Sequence, residues 1–263
     1  MDVDVIIQGD ALEEMRAFPA ECIDLTVTSP PYDNLREYHG YTFDFESIAK
    51  ELFRVTKPGG AVVWVVGDAT IDGSETGTSF RQALYFKEIG FNLHDTMIYK
   101  KDGISFPDKN RYQSCFEYMF VFSKDTPKTI NLICDHKNVS HGRKVSGTER
   151  ESDGTTRAAS CIGQKINRYG TRWNIWEIPA IKGNHDINHP AIFPEQLASD
   201  HILSWSNPGD LILDPMCGSG TTCKMAKYHG RHYLGIDISS KYCDIARRRI
   251  AAIPARLDRW STP

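Results

Sequence analysis

The chain is 263 residues long and carries 31 Lys/Arg against 34 Asp/Glu. The resulting net charge of −3 excludes a surface coated uniformly for nucleic acid, though not a local basic face. The length holds one large α/β domain with an insertion, or two small domains, and seven scattered cysteines without a C-x-x-C pair exclude a secreted disulfide framework or a zinc ribbon. A reducing cytoplasm is therefore expected. Met1-Asp2-Val3-Asp4 shows no basic-then-apolar leader, so no signal peptide is expected.

Val3 to Ile7 is an apolar, β-branched strand broken by Gly9-Asp10, and Ala11 to Phe18 a helix stopped by Pro19. Ile23 to Val27 is a second strand, ending in Thr28-Ser29-Pro30-Pro31-Tyr32. Ile48, Ala49, Leu52 and Val55 fall at helical spacing, which predicts a helix over Phe45 to Val55 ended by a turn at Lys57-Pro58-Gly59-Gly60. Ala61 to Val66 is a continuous apolar run, far too short for a bilayer and suited to a strand buried on both faces. Phe80 to Ile89 is a helix closed by Gly90; Leu93 to Tyr99 and Phe116 to Phe122 are strands expected to pair.

Lys124 to Arg172 has little periodicity and holds ten Lys/Arg against five Asp/Glu. A long irregular stretch inside a domain is functional or separately folded. Alternation then resumes with a strand at Leu211 to Leu213, a helix at Thr221 to Tyr228 and a strand at Tyr233 to Ile236. Tyr242, Ala246, Arg249, Ile250 and Ile253 mark a last helix closed by Pro254. Such alternation predicts a mostly parallel sheet with helices on both faces. Ligands bind beyond the carboxyl ends of such strands. Asp10, Ser29 to Tyr32, Asp214 to Thr222 and Asp237 all fall there.

Asp214-Pro215-Met216-Cys217-Gly218-Ser219-Gly220-Thr221-Thr222 reads as strand end, glycine turn and helix start. Glycines let the backbone approach a ligand, and the helix N-terminus offers N–H groups to an anion. Asp237, at the end of the next strand, is placed to grip ribose hydroxyls.

That nine-residue run resembles the first motif of amino-group DNA methyltransferases, where an aromatic often replaces Cys217. The resemblance implies that the run wraps the methionine part of S-adenosylmethionine. Gly235-Ile236-Asp237-Ile238 resembles the ribose motif, and Gly9-Asp10-Ala11-Leu12 the motif lining the adenine ring. His189-Pro190-Ala191-Ile192-Phe193-Pro194-Glu195-Gln196-Leu197 resembles the segment that holds the methionine end, through Phe193 and Glu195. The target motif precedes the basic stretch and the cofactor motif follows it, an order similar to the beta class. This implies a circularly permuted, Rossmann-like methyltransferase fold. Residues 1–123 form its catalytic half, 124–172 an inserted target-recognition segment and 173–263 its cofactor-binding half.

Ser29-Pro30-Pro31-Tyr32 resembles the family's catalytic tetrapeptide. An exocyclic amino nitrogen is a weak nucleophile because its lone pair spreads into the ring. Acceptors holding its hydrogens localise that pair, and the Ser29 hydroxyl and Pro30 carbonyl are the candidates. Pro30 and Pro31 stiffen the turn, and Tyr32 offers a ring for a base turned out of the duplex. The nitrogen then attacks the methyl carbon in line. Cytosine-carbon chemistry needs a Pro-Cys nucleophile, which is absent. Ser before Pro-Pro implies cytosine N4 as the target, with adenine N6 as the alternative. RNA or protein amino groups and a non-catalytic DNA-binding module are more distant.

In the basic segment Arg143, Lys144, Arg150, Arg157, Lys165, Arg168 and Arg172 are candidate contacts to double-stranded DNA. Tyr112 and Tyr169 are stacking candidates, whereas Trp173 and Trp176 are expected to pack. His185 and His189 have i, i+4 spacing, but Pro190 argues against one helix, and no metal is expected. A homodimer and a cognate restriction endonuclease are candidate partners. The resemblance implies a bacterial, archaeal or phage origin.

Overall fold

A computed structural model describes residues 1–31, 43–103, 109–179 and 193–253. They form two units, 1–131 with 174–263, and 132–173. In the first unit the order is β1 (Val5–Gln8), α1 (Ala11–Arg16), β2 (Ile23–Thr28), α2 (Phe45–Val55), β3 (Thr56–Val66), α3 (Thr78–Glu88), β4 (Asn92–Lys100) and β5 (Phe116–Ser123). There follow β6 (Ile175–Glu177), α4 (Glu195–Trp205), β7 (Leu211–Asp214), α5 (Thr221–Tyr228), β8 (His232–Asp237) and α6 (Ser240–Ala251). No helix among the described residues is long and apolar enough to cross a membrane.

The eight strands make one sheet in the order β1-β8-β7-β2-β3-β5-β4-β6. Only β5 runs against the others, antiparallel to both β3 and β4. The expected pairing of β4 with β5 is therefore present. β1 lies beside β8, with Gln8 in register with Asp237, so the first strand docks on the last.

The period-2 alternation of side chains divides the core between two faces. Val63 and Val65 face one cluster with Leu197, Ala198 and Ile202 of α4, Ala226 of α5 and Ala246 of α6. Val62, Trp64 and Val66 face the other, with Met15 of α1, Leu52 of α2 and Phe86 of α3. Helices cover both faces of β3, which is why its Ala61 to Val66 stretch is continuously apolar. Trp64 is fully buried and its Nε1–H donates to Gln82 Oε1 at 2.9 Å. Leaving that donor unpaired costs about 1–3 kcal/mol.

One local expectation changes, and two elements appear that the sequence reading did not include. The Lys57-Pro58-Gly59-Gly60 turn lies inside β3 rather than before it, because the pairing with β2 jumps from Ile23–Thr56 to Leu25–Ala61. The looped-out residues find partners elsewhere: Gly59 N–H donates to Lys124 O and Lys128 N–H to Gly59 O. Gly59 has φ 81°, which a Cβ opposes. Helix α4 has no counterpart in the sequence reading, since apolar residues sit around more than one face of it. Strand β6 is a three-residue edge strand that buries only Trp176.

The 132–173 unit is an antiparallel ribbon rather than an irregular stretch. Gly170 pairs with His136 and Tyr169 with Lys137. Lys144 faces Lys165 across an isolated bridge, and Thr148–Arg150 pairs with Thr156–Ala158 near the tip. Trp173 is 66% exposed and stacks on His136 at 4.3 Å, so it does not pack in the core as expected. Trp176, at 6% exposure, does.

Candidate active site

Four neighbouring parallel strands, β1, β8, β7 and β2, end at one edge of the sheet. Their last residues bring the sequence motifs together. Gly9 N–H donates to Asp237 O at 3.1 Å, joining the first two ends. Thr28 Oγ1 donates to Asp214 Oδ1 at 2.8 Å, joining the other two. Thr222 Oγ1 donates to Val27 O at 3.1 Å, fastening the start of α5 to β2.

The loop 215–220 depends on glycine. Gly218 and Gly220 have φ of 49° and 77°. A Cβ on Gly220 would lie 2.6 Å from Ala246 Cβ, so α6 packs directly against the loop. Helix α5 begins at Gly220 without a side-chain cap, which leaves its N-terminal N–H groups open to a ligand. Asp237 holds the front of the loop: its Oδ2 accepts from Gly218 N–H and its Oδ1 from Ser239 N–H, both at 2.8 Å. Cys217 points the other way, into the core beside Cys223 and Gly235, so only its backbone faces the edge. Its hydrogen bond to Cys223, and then burial, push the thiol up. Thr221 and Thr222 are buried, and Met216 is half-buried with its N–H donated to Asp214 Oδ1 at 3.2 Å.

Asp10 caps α1, its Oδ1 accepting from Leu12 N–H and Glu13 N–H, and Ala11 beside it is half-buried. Ile238, following Asp237, is half-buried too. Phe193 packs against the core. Glu195 accepts from Lys224 Nζ at 2.6 Å and from Arg249 Nη2 at 3.0 Å. Burial pushes its carboxyl up, but the two cations outweigh burial and hold it below the usual range. Arg249 also donates to the backbone and hydroxyl of Ser219. The sequence reading placed Arg249 on the inward stripe of the last helix but gave it no role.

Asp214 is 5% exposed, and burial pushes its carboxyl up to about 6. Burial raises Asp237 as well, more than its two backbone donors lower it. Neither acid has a Lys, Arg or His partner among the described residues. A buried acid and a half-buried one beside an uncapped helix start form a candidate site for a ligand carrying positive charge, hydroxyls and a carboxylate.

Ser29 and Pro31 are half-buried and Pro30 buried, immediately beyond β2. Tyr32 lies outside the described residues, as do His185, His189 and the segment up to Ile192. Within the ribbon, Arg157 is paired with Glu149 and Glu151, and Arg172 with Asp135. Arg143, Lys144, Arg150, Lys165 and Arg168 are exposed and have no carboxylate partner among the described residues. Arg168 lies over the Tyr169 ring at 5.5 Å, and Tyr112 is fully exposed.

A family model described as DNA methylase, of the N6/N4 type, matches residues 23–248. The orphan methyltransferase M.BamHII of Bacillus amyloliquefaciens is 60% identical over 235 residues, covering 87% of this chain and 88% of the relative. The DNA adenine methyltransferase YhdJ of Escherichia coli K12 is 29% identical over 93% of this chain and 82% of its own. Among solved structures, the cytosine-N4-specific PvuII DNA methyltransferase superposes with a TM-score of 0.66 at 22% identity, covering 93% of this chain and 85% of its own.

Proposed function

The chain belongs to the N6/N4 DNA methylase family, and from that premise we propose that it methylates the N4 amino group of cytosine in double-stranded DNA, with S-adenosylmethionine as methyl donor. One contact carries the reading. The 2.8 Å hydrogen bond from Thr28 to Asp214 ties the strand end bearing Ser29-Pro30-Pro31 to the strand end bearing the cofactor loop.

The loop suits this donor. The uncapped start of α5 accepts a carboxylate, and Asp214 and Asp237, without a cationic partner among the described residues, suit its cationic groups and ribose hydroxyls. Bound there, S-adenosylmethionine supplies a methyl group on a sulfonium. Gly218, Ser219 and Gly220 wrap it with backbone, while Asp10, Ala11 and Ile238 border the adenosine end. Ser29 Oγ and Pro30 O accept the amino hydrogens of the target base and localise its lone pair. Tyr32 supplies a stacking ring for a base turned out of the duplex. Catalysis comes from positioning and from electrostatic fit to the positive charge developing on nitrogen. The product nitrogen is acidic enough to lose its proton to water.

The ribbon, 132–173, holds the DNA. It carries eight Lys/Arg against four Asp/Glu, and the pairs made by Arg157 and Arg172 leave Arg143, Lys144, Arg150, Lys165 and Arg168 for phosphates. Lys144 and Lys165 face each other, a like-charge pairing that an anion relieves. Replacing both by Ala is expected to weaken DNA binding for every sequence and to lower the slope of log K against log salt by about 2. An unchanged slope in filter-binding titrations removes both lysines from the phosphate contacts.

The deciding experiment is mass spectrometry of nucleosides from unmethylated genomic DNA incubated with the protein and labelled S-adenosylmethionine. Labelled 4-methylcytosine is the expected result. Labelled 6-methyladenine would keep the fold, cofactor and mechanism and reassign the base. No labelled base, with the cofactor bound, would move the substrate to RNA or protein.

A further inference from the structure

Arg249 is 14% exposed by its side chain and lies on the face of α6 that packs against the cofactor loop. Its Nη1 donates to Ser219 O at 2.6 Å, to Ser219 Oγ at 2.8 Å and to Thr221 Oγ1 at 3.2 Å. Its Nη2 donates to Glu195 Oε1 at 3.0 Å, and the same oxygen accepts from Lys224 Nζ at 2.6 Å. One guanidinium thus joins the start of α4, the loop and the start of α5. Opposite it, Asp237 holds Gly218 N–H. The loop residues Gly218-Ser219-Gly220 are thus held by an acid at Gly218 and by an arginine at Ser219. Two of them have positive φ, the segment most costly to order in a free chain.

From this geometry we infer that Arg249 is a positioning residue for the methyl donor: it presets the cofactor loop in its binding conformation, with Glu195 and Lys224 orienting the guanidinium. The inference rests on the reading of residues 214–222 as the cofactor loop. It also gives Glu195 a different task from direct contact with the methionine end. Among the described residues it accepts from Lys224 and Arg249, so its influence reaches the ligand through Ser219. Preorganisation of this kind lowers the ordering cost of binding and does not act on the transfer step itself.

The test is calorimetry of S-adenosylmethionine binding to the whole protein, with amide exchange of residues 216–222 in the free protein and steady-state kinetics. Arg249→Met is expected to weaken the cofactor Kd roughly tenfold and speed loop exchange, since charged hydrogen bonds of this type are lost. At saturating cofactor, kcat should stay within about threefold of the parent, the mark of a ground-state positioning role. Arg249→Lys should recover part of the affinity, because one ammonium reaches Ser219 O but lacks the fork that also spans to Glu195. Glu195→Gln should lose less than Arg249→Met, because the Ser219 contacts remain. Unchanged Kd and loop exchange in Arg249→Met would overturn the inference; if that variant does not fold, unchanged values in Arg249→Lys do the same. A larger affinity loss in Glu195→Gln than in the arginine variant also overturns it. A parent protein that binds no S-adenosylmethionine would overturn the loop assignment as well.

Discussion

Asp237→Ala is expected to weaken S-adenosylmethionine binding by about ten- to a hundredfold. The carboxylate makes two charge-assisted hydrogen bonds to the backbone, to Gly218 and Ser239, at the edge proposed for the ribose. Such bonds are worth about 1.5–3 kcal/mol each, and each 1.4 kcal/mol is tenfold in affinity. The loss has two parts, the ribose contact and the anchor of the loop. Asp237→Asn separates them: its Oδ1 still accepts one backbone N–H, so it should fall between alanine and the parent. Calorimetry decides; unchanged affinity in the alanine variant rejects Asp237 as a cofactor residue.

Asp214→Asn is expected to do two opposite things at neutral pH, stabilising the free protein and weakening its hold on the methyl donor. Burial raises the folded-state carboxyl to about 6, above its unfolded value. Protonation therefore stabilises the fold at acid pH, and that stability is lost as pH rises through about 6. At pH 7.5 the buried charge costs the free fold about 3 kcal/mol relative to a neutral isostere, taking 1.36 kcal/mol per pH unit. Asparagine keeps the acceptor for Thr28 Oγ1 and Met216 N–H. The variant should melt roughly 5–10 °C above the parent at pH 7.5, less far above it at pH 5, and level with it only below the ordinary carboxyl value of 3.8, where the group is protonated in both states. A lower melting point at pH 7.5 would show that the carboxylate supports the free fold. That cost fits the proposed donor site, where a cationic ligand would meet a carboxylate that has no Lys, Arg or His partner among the described residues.

Most of the sheet and its binding edge were legible because the residues concerned obey short-range rules. A strand buried on both faces must be apolar throughout, as Ala61 to Val66 is, and a loop with positive φ needs glycine, as at Gly218 and Gly220. The ribbon escaped because both its sides are exposed, so no alternation of apolar and polar residues records the pairing. Helix α4 escaped because its buried set includes His201 and Ser204 as well as Leu197 and Ile202. Arg249 left a trace, an arginine on the same stripe as Ala246 and Ile250, yet within Arg247-Arg248-Arg249 it reads as part of a solvated run. Only the distance to Ser219 separates it from its neighbours.

β1 has one neighbour in the sheet, β8. Val5–Gln8 is thus made long before the strand it must lie against, and almost the whole chain intervenes. Such distant pairings close late, because the loop entropy must be overcome before any contact rewards it. A growing polypeptide holds Ser29-Pro30-Pro31 early but lacks both Gly218 and Asp237, which are joined by one hydrogen bond in the finished fold. A chain that stops short of Asp237 leaves Val5–Gln8 without its partner strand, and the sheet edge that the proposed donor site needs is not built.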